Sequence, residues 1–342
     1  MEPSPVRSAC PPLCVFSECD GPGITRRKLR NGWAYYEVGG DRITDRDTIE
    51  RLNAVGLPPA YRDAWFCPDA QGHIQAIGWD DKGRKQYRYH TAFREAQEAA
   101  KYDRCAAFGD ALPRLRARVE TDLAARAMTR DRAVAAVVRL LDLGRVRVGN
   151  EGYARDNKSF GATTLRKRHA ELRGSKLKLQ YRAKSGKQRV LTITDHSLAR
   201  FVRKCQDLPG QHLFRWVDGA GDTHPVTSGD VNAYIRDAMG ADFTAKHFRT
   251  WGASVLAFTA LADATEDLSL KTMLAPVVDA LGNTPAIARK SYVHPRLIDL
   301  VKDGQQAFRD ALRLPRSTRW LSRHERGLIV FLEADLPVAA AA

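Results

Sequence analysis

The sequence has few cysteines, no long apolar run, and few acidic residues where its basic residues crowd. Six cysteines in 342 residues are too sparse to staple a disulfide scaffold. Cys10, Cys14 and Cys19 cluster, but their spacing is irregular and no Cys or His pair follows, so they do not read as a zinc site. Cys67, Cys105 and Cys205 are scattered and read as reduced thiols, which points to the cytoplasm. No stretch of about 18 or more uncharged apolar residues occurs, so no transmembrane helix is expected. The N-terminus lacks the apolar core of a secretory signal. The motifs GxxxxGK[ST], HExxH and G-x-S-x-G are all missing, which removes three familiar catalytic designs.

Basic residues are in excess. Lys and Arg number 55 against 40 Asp and Glu, a formal net charge of +15. With 44% hydrophobic and 28% charged residues the composition is globular, not disordered. The excess points to a polyanionic partner, with nucleic acid ahead of a membrane surface. It is also localised. Between Arg139 and Lys204 stand 18 basic and 5 acidic residues, a net +13. Smaller clusters are Arg26, Arg27, Lys28 and Arg30, then Arg84, Lys85 and Arg88 interleaved with Tyr87 and Tyr89. Basic residues beside aromatics suit a nucleic-acid groove, because cations meet phosphates while rings and amides meet sugars and bases.

Composition divides the chain. Residues 1–23 are proline-rich and read as a flexible tail. Residues 24–107 form a first domain, with WAYYEV (33–38) and HIQAIGW (73–79) as strands. Residues 108–315 form a larger, mostly helical second domain opened by Pro113, and 316–342 form an extension. Thr129 caps a helix to Leu143, with Gly144 as its left-handed exit. KLKLQYR (176–182) and QRVLTIT (188–194) read as a hairpin whose turn, AKSGK, puts Lys184 at the tip. Asp195, Thr227 and Thr244 open further helices, and Lys246 and Arg249 project from one face of the last. A helix over 268–281 ends at Gly282-Asn283. Thr284 and Pro285 then start a short helix leading to Tyr292.

Scarce carboxylates in the basic stretch argue against a two-metal phosphodiester site. Such a chain can simply bind DNA, or it can stabilise a phosphoryl transition state with its own cations. Guanidinium groups grip non-bridging oxygens bidentately. A tyrosine nucleophile conserves the broken bond as a phosphotyrosyl ester. A lysine among other cations has a lowered pKa and can protonate a poor leaving oxygen. Arg147, Lys184, Arg249 and Tyr292 would fill those roles.

GRKQYRYH (83–90), RVRVGNEGY (145–153), YRAKSGK (181–187), KHFRTWGA (246–253) and LGNTPAIARKSYVHP (281–295) together resemble the type IB DNA topoisomerases, specifically their small bacterial and poxvirus-like branch. The resemblance runs from about residue 24 to 315 in motif order. It implies an α+β fold, with a small N-terminal antiparallel-sheet cap and a larger, mainly helical catalytic domain of the type IB topoisomerase and tyrosine recombinase kind. It implies relaxation of supercoiled DNA through a 3′-phosphotyrosyl intermediate, with neither ATP nor a metal or other cofactor. The catalytic set maps onto Arg147, Lys184, Arg249, Asn283 and the nucleophile Tyr292. DNA contacts map onto Gln86, Tyr87, Tyr89, Tyr153 and Lys246. The partner is duplex DNA, enclosed by a monomer that closes as a clamp, in the cytoplasm at the nucleoid.

Three positions depart from the poxvirus pattern. Asn283 stands for a histidine, Asn150 for a basic residue, and Ser185 for an acidic neighbour of the lysine. The rival readings are a tyrosine recombinase and a non-catalytic DNA-binding protein. Recombinases usually show H-x-x-R at the second arginine, and here the stretch is Lys246-His247-Phe248-Arg249.

Overall fold

The computed structural model describes residues 14–15 and 21–334. Cys10, Cys19, most of the expected N-terminal tail and residues 335–342 lie outside the described residues. The chain divides into two compact units between Lys101 and Tyr102. No helix among the described residues is long and apolar enough to cross a membrane.

The first unit holds a five-stranded antiparallel sheet, one complete helix and most of a second that leads out of it. Its elements are β1 (Ile24–Leu29), β2 (Gly32–Tyr36), α1 (Arg46–Ala54), β3 (Arg62–Phe66), β4 (Ile74–Trp79) and β5 (Lys85–Tyr89), with the strands in the order β2-β1-β3-β4-β5. Asp45 caps α1 by accepting from Thr48 N. A small core of Ile24, Tyr35, Ile43, Leu52, Leu57, Phe66 and Ala76 sits between α1 and the sheet. Arg26, from the first basic cluster, serves this unit internally. It donates to the carbonyls of Leu57 and Pro58 and lies 4.0 Å from the Trp33 ring centre. The helix α2 (Thr91–Asp103) carries the chain into the second unit.

The second unit is built around α4 (Arg130–Gly144), whose residues Ala133 to Val138, Leu140 and Leu141 are all buried. A helix that is apolar nearly all round must be surrounded. Thr129 caps it as expected, accepting from Arg132 N. The exit differs from expectation. The left-handed residue is Arg145 (φ 51°), not Gly144. Gly144 stays helical and serves packing instead: a Cβ there would stand 3.1 Å from Leu191 Cδ1. Before it, α3 (Cys105–Ala124) runs straight through Pro113, which therefore does not open the helix. Buried Phe108, Leu112 and Leu115 on both sides of the proline offset the lost backbone bond.

The remaining elements follow in chain order. They are α5 (Glu151–Asn157), β6 (Ala170–Arg173), β7 (Lys176–Arg182), β8 (Gln188–Thr194), α6 (His196–Asp207), β9 (Arg215–Val217), β10 (Thr223–Pro225), α7 (Ser228–Met239), α8 (Ala245–Ala262), α9 (Leu270–Leu281), α10 (Pro285–Ser291), α11 (Pro295–Lys302), α12 (Gln305–Ala311) and α13 (Arg323–Glu333). Strands β7 and β8 cover the two expected segments, and the alternation buries Leu177, Leu179 and Tyr181. Asp195 caps α6, and Thr227 with Asp230 forms the capping box of α7. The terminal α13 belongs to the same core, burying Leu328, Ile329 and Phe331. Arg116 ties it down, pairing with Glu325 at 2.7 Å and with Asp142 of α4 at 2.8 Å.

Candidate active site

Three elements end close together in the second unit: α4, α9 and α10. Arg147 lies just beyond α4, in a segment stitched to residues 161–164. Ala162 N donates to Arg147 O at 2.8 Å, and Thr163 N donates to Val148 O at 2.7 Å. The approach is tight enough to require Gly161, where a Cβ would stand 2.6 Å from Arg147 O. The half-buried Arg147 side chain then donates from Nη2 to Asn283 Oδ1 at 3.1 Å. Asn283 is 8% exposed and follows Gly282, whose left-handed turn (φ 64°) stops α9.

Arg249 comes from the middle of α8 and is only 5% exposed. A charge buried this deeply needs partners. Its Nη1 donates to Arg145 O at 2.5 Å and its Nη2 to Leu281 O at 3.4 Å. No carboxylate pairs with it in these bonds. Arg145 is itself held against α8 through Gly252, where a Cβ would stand 2.6 Å from Arg145 Nε. The Arg249 guanidinium lies 4.7 Å from the Tyr292 ring centre.

Tyr292 ends α10, a helix started by Thr284 and Pro285 as expected. Its amide donates to Ala288 O at 3.1 Å. Buried Ser254 of α8 donates to the Tyr292 carbonyl at 3.5 Å and accepts from His294 N at 3.0 Å, so it brackets the tyrosine backbone. Burial alone raises the phenol pKa. The Arg249 charge and hydrogen bond, the Arg147 charge and a contact from Asn283 outweigh it and leave the phenol below its ordinary value. Arg249 shifts down because it is buried, yet a guanidinium starts so high that it stays charged.

Among the described residues, the buried donors Arg145 Nε, Arg249 Nε and Asn283 Nδ2 make no hydrogen bond of standard geometry. Native proteins rarely leave such groups open. Beside an acidified phenol, two arginines and an amide can hold a tetrahedral anion, and the phenol can attack it.

The structure brings Arg147, Arg249, Asn283 and Tyr292 together. Lys184 stands apart. It is exposed in the turn between β7 and β8, where Ser185 takes φ 62°. Lys246 is exposed one turn before buried Arg249. His247 is not available to replace a recombinase histidine. It caps α8 by accepting from Thr244 N and packs on Phe108 and Phe243, and burial pushes its pKa down to about 4. Tyr153 is 51% exposed on α5, whose first turn is capped by Asn150.

Gln86, Tyr87 and Tyr89 lie on β5, an edge strand of the first unit. The two tyrosine rings stack at 6.1 Å, and Lys85 Nζ lies 5.6 Å from the Tyr87 ring centre. Gln86 donates to Asp80 Oδ2 at 3.1 Å, and the Arg84 hydrogen bond holds the Asp80 carboxyl down at about 2.

Sequence reasoning missed the supports: the Arg145 carbonyl, the Ser254 hydroxyl and the Gly161 approach. None leaves a local pattern, because each acts across elements distant in the chain.

Comparison with known proteins agrees with this architecture. Residues 90–288 match the family described as eukaryotic DNA topoisomerase I, catalytic core, a span that includes Arg147 to Asn283 and stops short of Tyr292. Residues 32–80 match the bacterial DNA topoisomerase IB N-terminal domain. DNA topoisomerase 1B of Acanthamoeba polyphaga mimivirus is 32% identical over 301 residues, covering 84% of this chain and 89% of the relative. A solved XerH site-specific recombinase bound to difH substrate shows a remote likeness, at 16% identity and a TM-score of 0.36, over 55% of this chain and 51% of the other. The chain belongs to the type IB DNA topoisomerases. It is an isomerase of DNA topology that relaxes supercoiled duplex by transient single-strand cleavage and religation, without ATP.

Proposed function

We propose that Tyr292 is the nucleophile of this reaction and that Arg147, Arg249 and Asn283 hold the scissile phosphate. The phenol gives its proton to solvent as its oxygen attacks phosphorus. The bond to the 5′ oxygen breaks, and Lys184, aided by Arg147, protonates that leaving oxygen. The 3′-phosphotyrosyl ester keeps the energy of the broken bond. The duplex swivels, the 5′ hydroxyl attacks in return, and Tyr292 leaves. Gln86, Tyr87, Tyr89, Tyr153 and Lys246 contact the DNA. The chain works as a monomer that closes as a clamp, in the cytoplasm at the nucleoid.

The observation that carries this reading is the buried Arg249 against Tyr292, with the phenol shifted down despite burial. A structural tyrosine has its pKa raised by burial, as the buried Tyr181 has. The direct experiment traps the covalent complex on a suicide DNA that loses its 5′ fragment, followed by peptide mapping. The adduct is expected on Tyr292. An adduct on another residue would overturn the assignment. Binding should also weaken steeply with salt, because many phosphates are neutralised. Sedimentation of the DNA complex should show one chain per duplex site.

A further inference from the structure

We propose that Arg189 is a positioning residue for cleavage, locking the Lys184 hairpin to the turn that carries Asn283. This rests on the reading of Lys184 and Asn283 as members of the active site.

The strands β7 and β8 pair Leu177 with Ile193, Leu179 with Leu191, and Tyr181 with Arg189. These six positions form the inner face of the hairpin. Five are apolar or aromatic, and Arg189 is the charged exception. A charge at such a position needs partners. Arg189 finds them at the end of α9. Its Nη1 donates to Asp279 O at 2.7 Å, and its Nη2 donates to Ala280 O. Last-turn carbonyls have no donor within their own helix, and they sit at the negative end of the helix dipole.

The next carbonyl, Leu281 O, accepts from Arg249. Guanidinium groups from two different elements, β8 and α8, thus grip consecutive carbonyls of one helix end. Gly282 follows, and a Cβ there would stand 3.2 Å from Arg189 Nη1, so the guanidinium lies against the backbone that leads into Asn283. Tyr181, opposite Arg189, is buried. Burial raises its phenol pKa, while the charges of Arg189, Arg249 and Arg147 pull it back. Arg189 therefore lies among the cations of the site.

The consequence concerns the tip. Lys184 is exposed; the turn closes through Ala183 N to Lys187 O and Gly186 N to Ala183 O, and residues 159–160 hold its β7 side, through Phe160 N to Arg182 O and Ser159 Oγ to Ala183 O, which leaves the β8 side to Arg189. Arg189, two residues beyond Lys187, is the inner-face residue that fixes this end of the hairpin to the Asn283 turn. A planar fork can reach two carbonyls at once, and an ammonium at that place cannot reproduce its geometry.

The test is single-turnover cleavage by Arg189→Ala, Arg189→Lys, Lys184→Ala and the Arg189→Ala/Lys184→Ala double variant. Each is run on ordinary DNA and on DNA with sulfur at the bridging 5′ position, which needs no general acid. Arg189→Ala is expected to cleave about 10- to 100-fold more slowly, the effect of a misplacement of about 1 Å. Arg189→Lys should recover only part of the rate. Sulfur should restore both single variants, and the double variant should be no slower than Lys184→Ala. A wild-type rate for Arg189→Ala would overturn the proposal. So would a slow Arg189→Ala on both DNAs while Lys184→Ala is rescued. If Lys184→Ala itself is not rescued, the general-acid role falls separately, and amide exchange decides the tie. Exchange at Gly186 and Gly282 should quicken in Arg189→Ala, and unchanged exchange at both would sink the proposal.

Discussion

Arg249 and Lys184 are assigned to the same phosphate, yet the fold treats them in opposite ways. Arg249 is buried on α8 and held by two backbone carbonyls. Lys184 is exposed at a hairpin tip, and no hydrogen bond of its side chain is found among the described residues. The difference follows from what each must do. A group that stabilises charge works best when fixed in advance, because it then costs no reorganisation at the moment of reaction. A general acid must stay solvated enough to be recharged with a proton, and must reach the leaving oxygen only when DNA is present. On the proposed reading, Arg147, Arg249, Asn283 and Tyr292 form a preassembled wall, and Lys184 is a separate, more exposed acid.

The wall stands or falls with Tyr292, where the largest effect is expected. Tyr292→Phe should lose relaxation by about 10⁴-fold or more, since the covalent route is gone. DNA binding should be retained, because the cations are untouched. Measurable relaxation at the wild-type rate would place the nucleophile elsewhere.

Lys184→Ala should slow cleavage by about 10²- to 10⁴-fold, and a 5′-sulfur leaving group should restore it. Arg249→Ala should cost about 10²- to 10³-fold and gain nothing from the sulfur. The pH profile separates the two more sharply. Arg249 is the largest influence lowering the Tyr292 phenol, whereas burial raises it. Removing Arg249 takes away the largest lowering influence and leaves only Arg147 and Asn283 against burial, so the phenol rises and the cleavage rate should keep climbing to higher pH than in the wild type. Lys184→Ala should leave that limb in place. An unshifted limb in Arg249→Ala would show that the guanidinium does not acidify the tyrosine.

Much of the framework was legible because its signals are local. Strand alternation in 176–182 and 188–194, the caps at Thr129, Asp195 and Thr227, and the Thr284-Pro285 start all act within a few residues. The supports were not legible, because tertiary packing decides them. Gly144 reads as a helix exit until Leu191 is known to fill the space beside it. Pro113 reads as the opening of the helical second half until a core on both sides carries α3 through it. Charge misleads in the same way. The net +13 between Arg139 and Lys204 reads as a DNA face, yet several of its cations serve the fold. Arg139 pairs with Asp195, Lys167 donates to Gln206 O, and Arg189 grips α9.

Asn150 gives the smallest effect and separates folding from contact. The poxvirus pattern has a basic residue there, and here the side chain caps α5, with Oδ1 accepting from Tyr153 N at 3.1 Å. Losing such a cap costs about 0.5–2 kcal/mol of helix stability. In α5, seven residues long with only Ala154 buried, that cost falls on local order, not on the core. Asn150→Ala should therefore barely move the melting temperature, yet weaken DNA binding several-fold by loosening Tyr153. The weakening should vanish in a Tyr153→Ala background, because the cap then has nothing to present. Asn150→Lys should also lose the cap but add a phosphate contact, steepening the salt dependence of binding by about one ion. If Asn150→Ala weakens binding equally with and without Tyr153, the asparagine touches DNA itself and the cap does not explain its place.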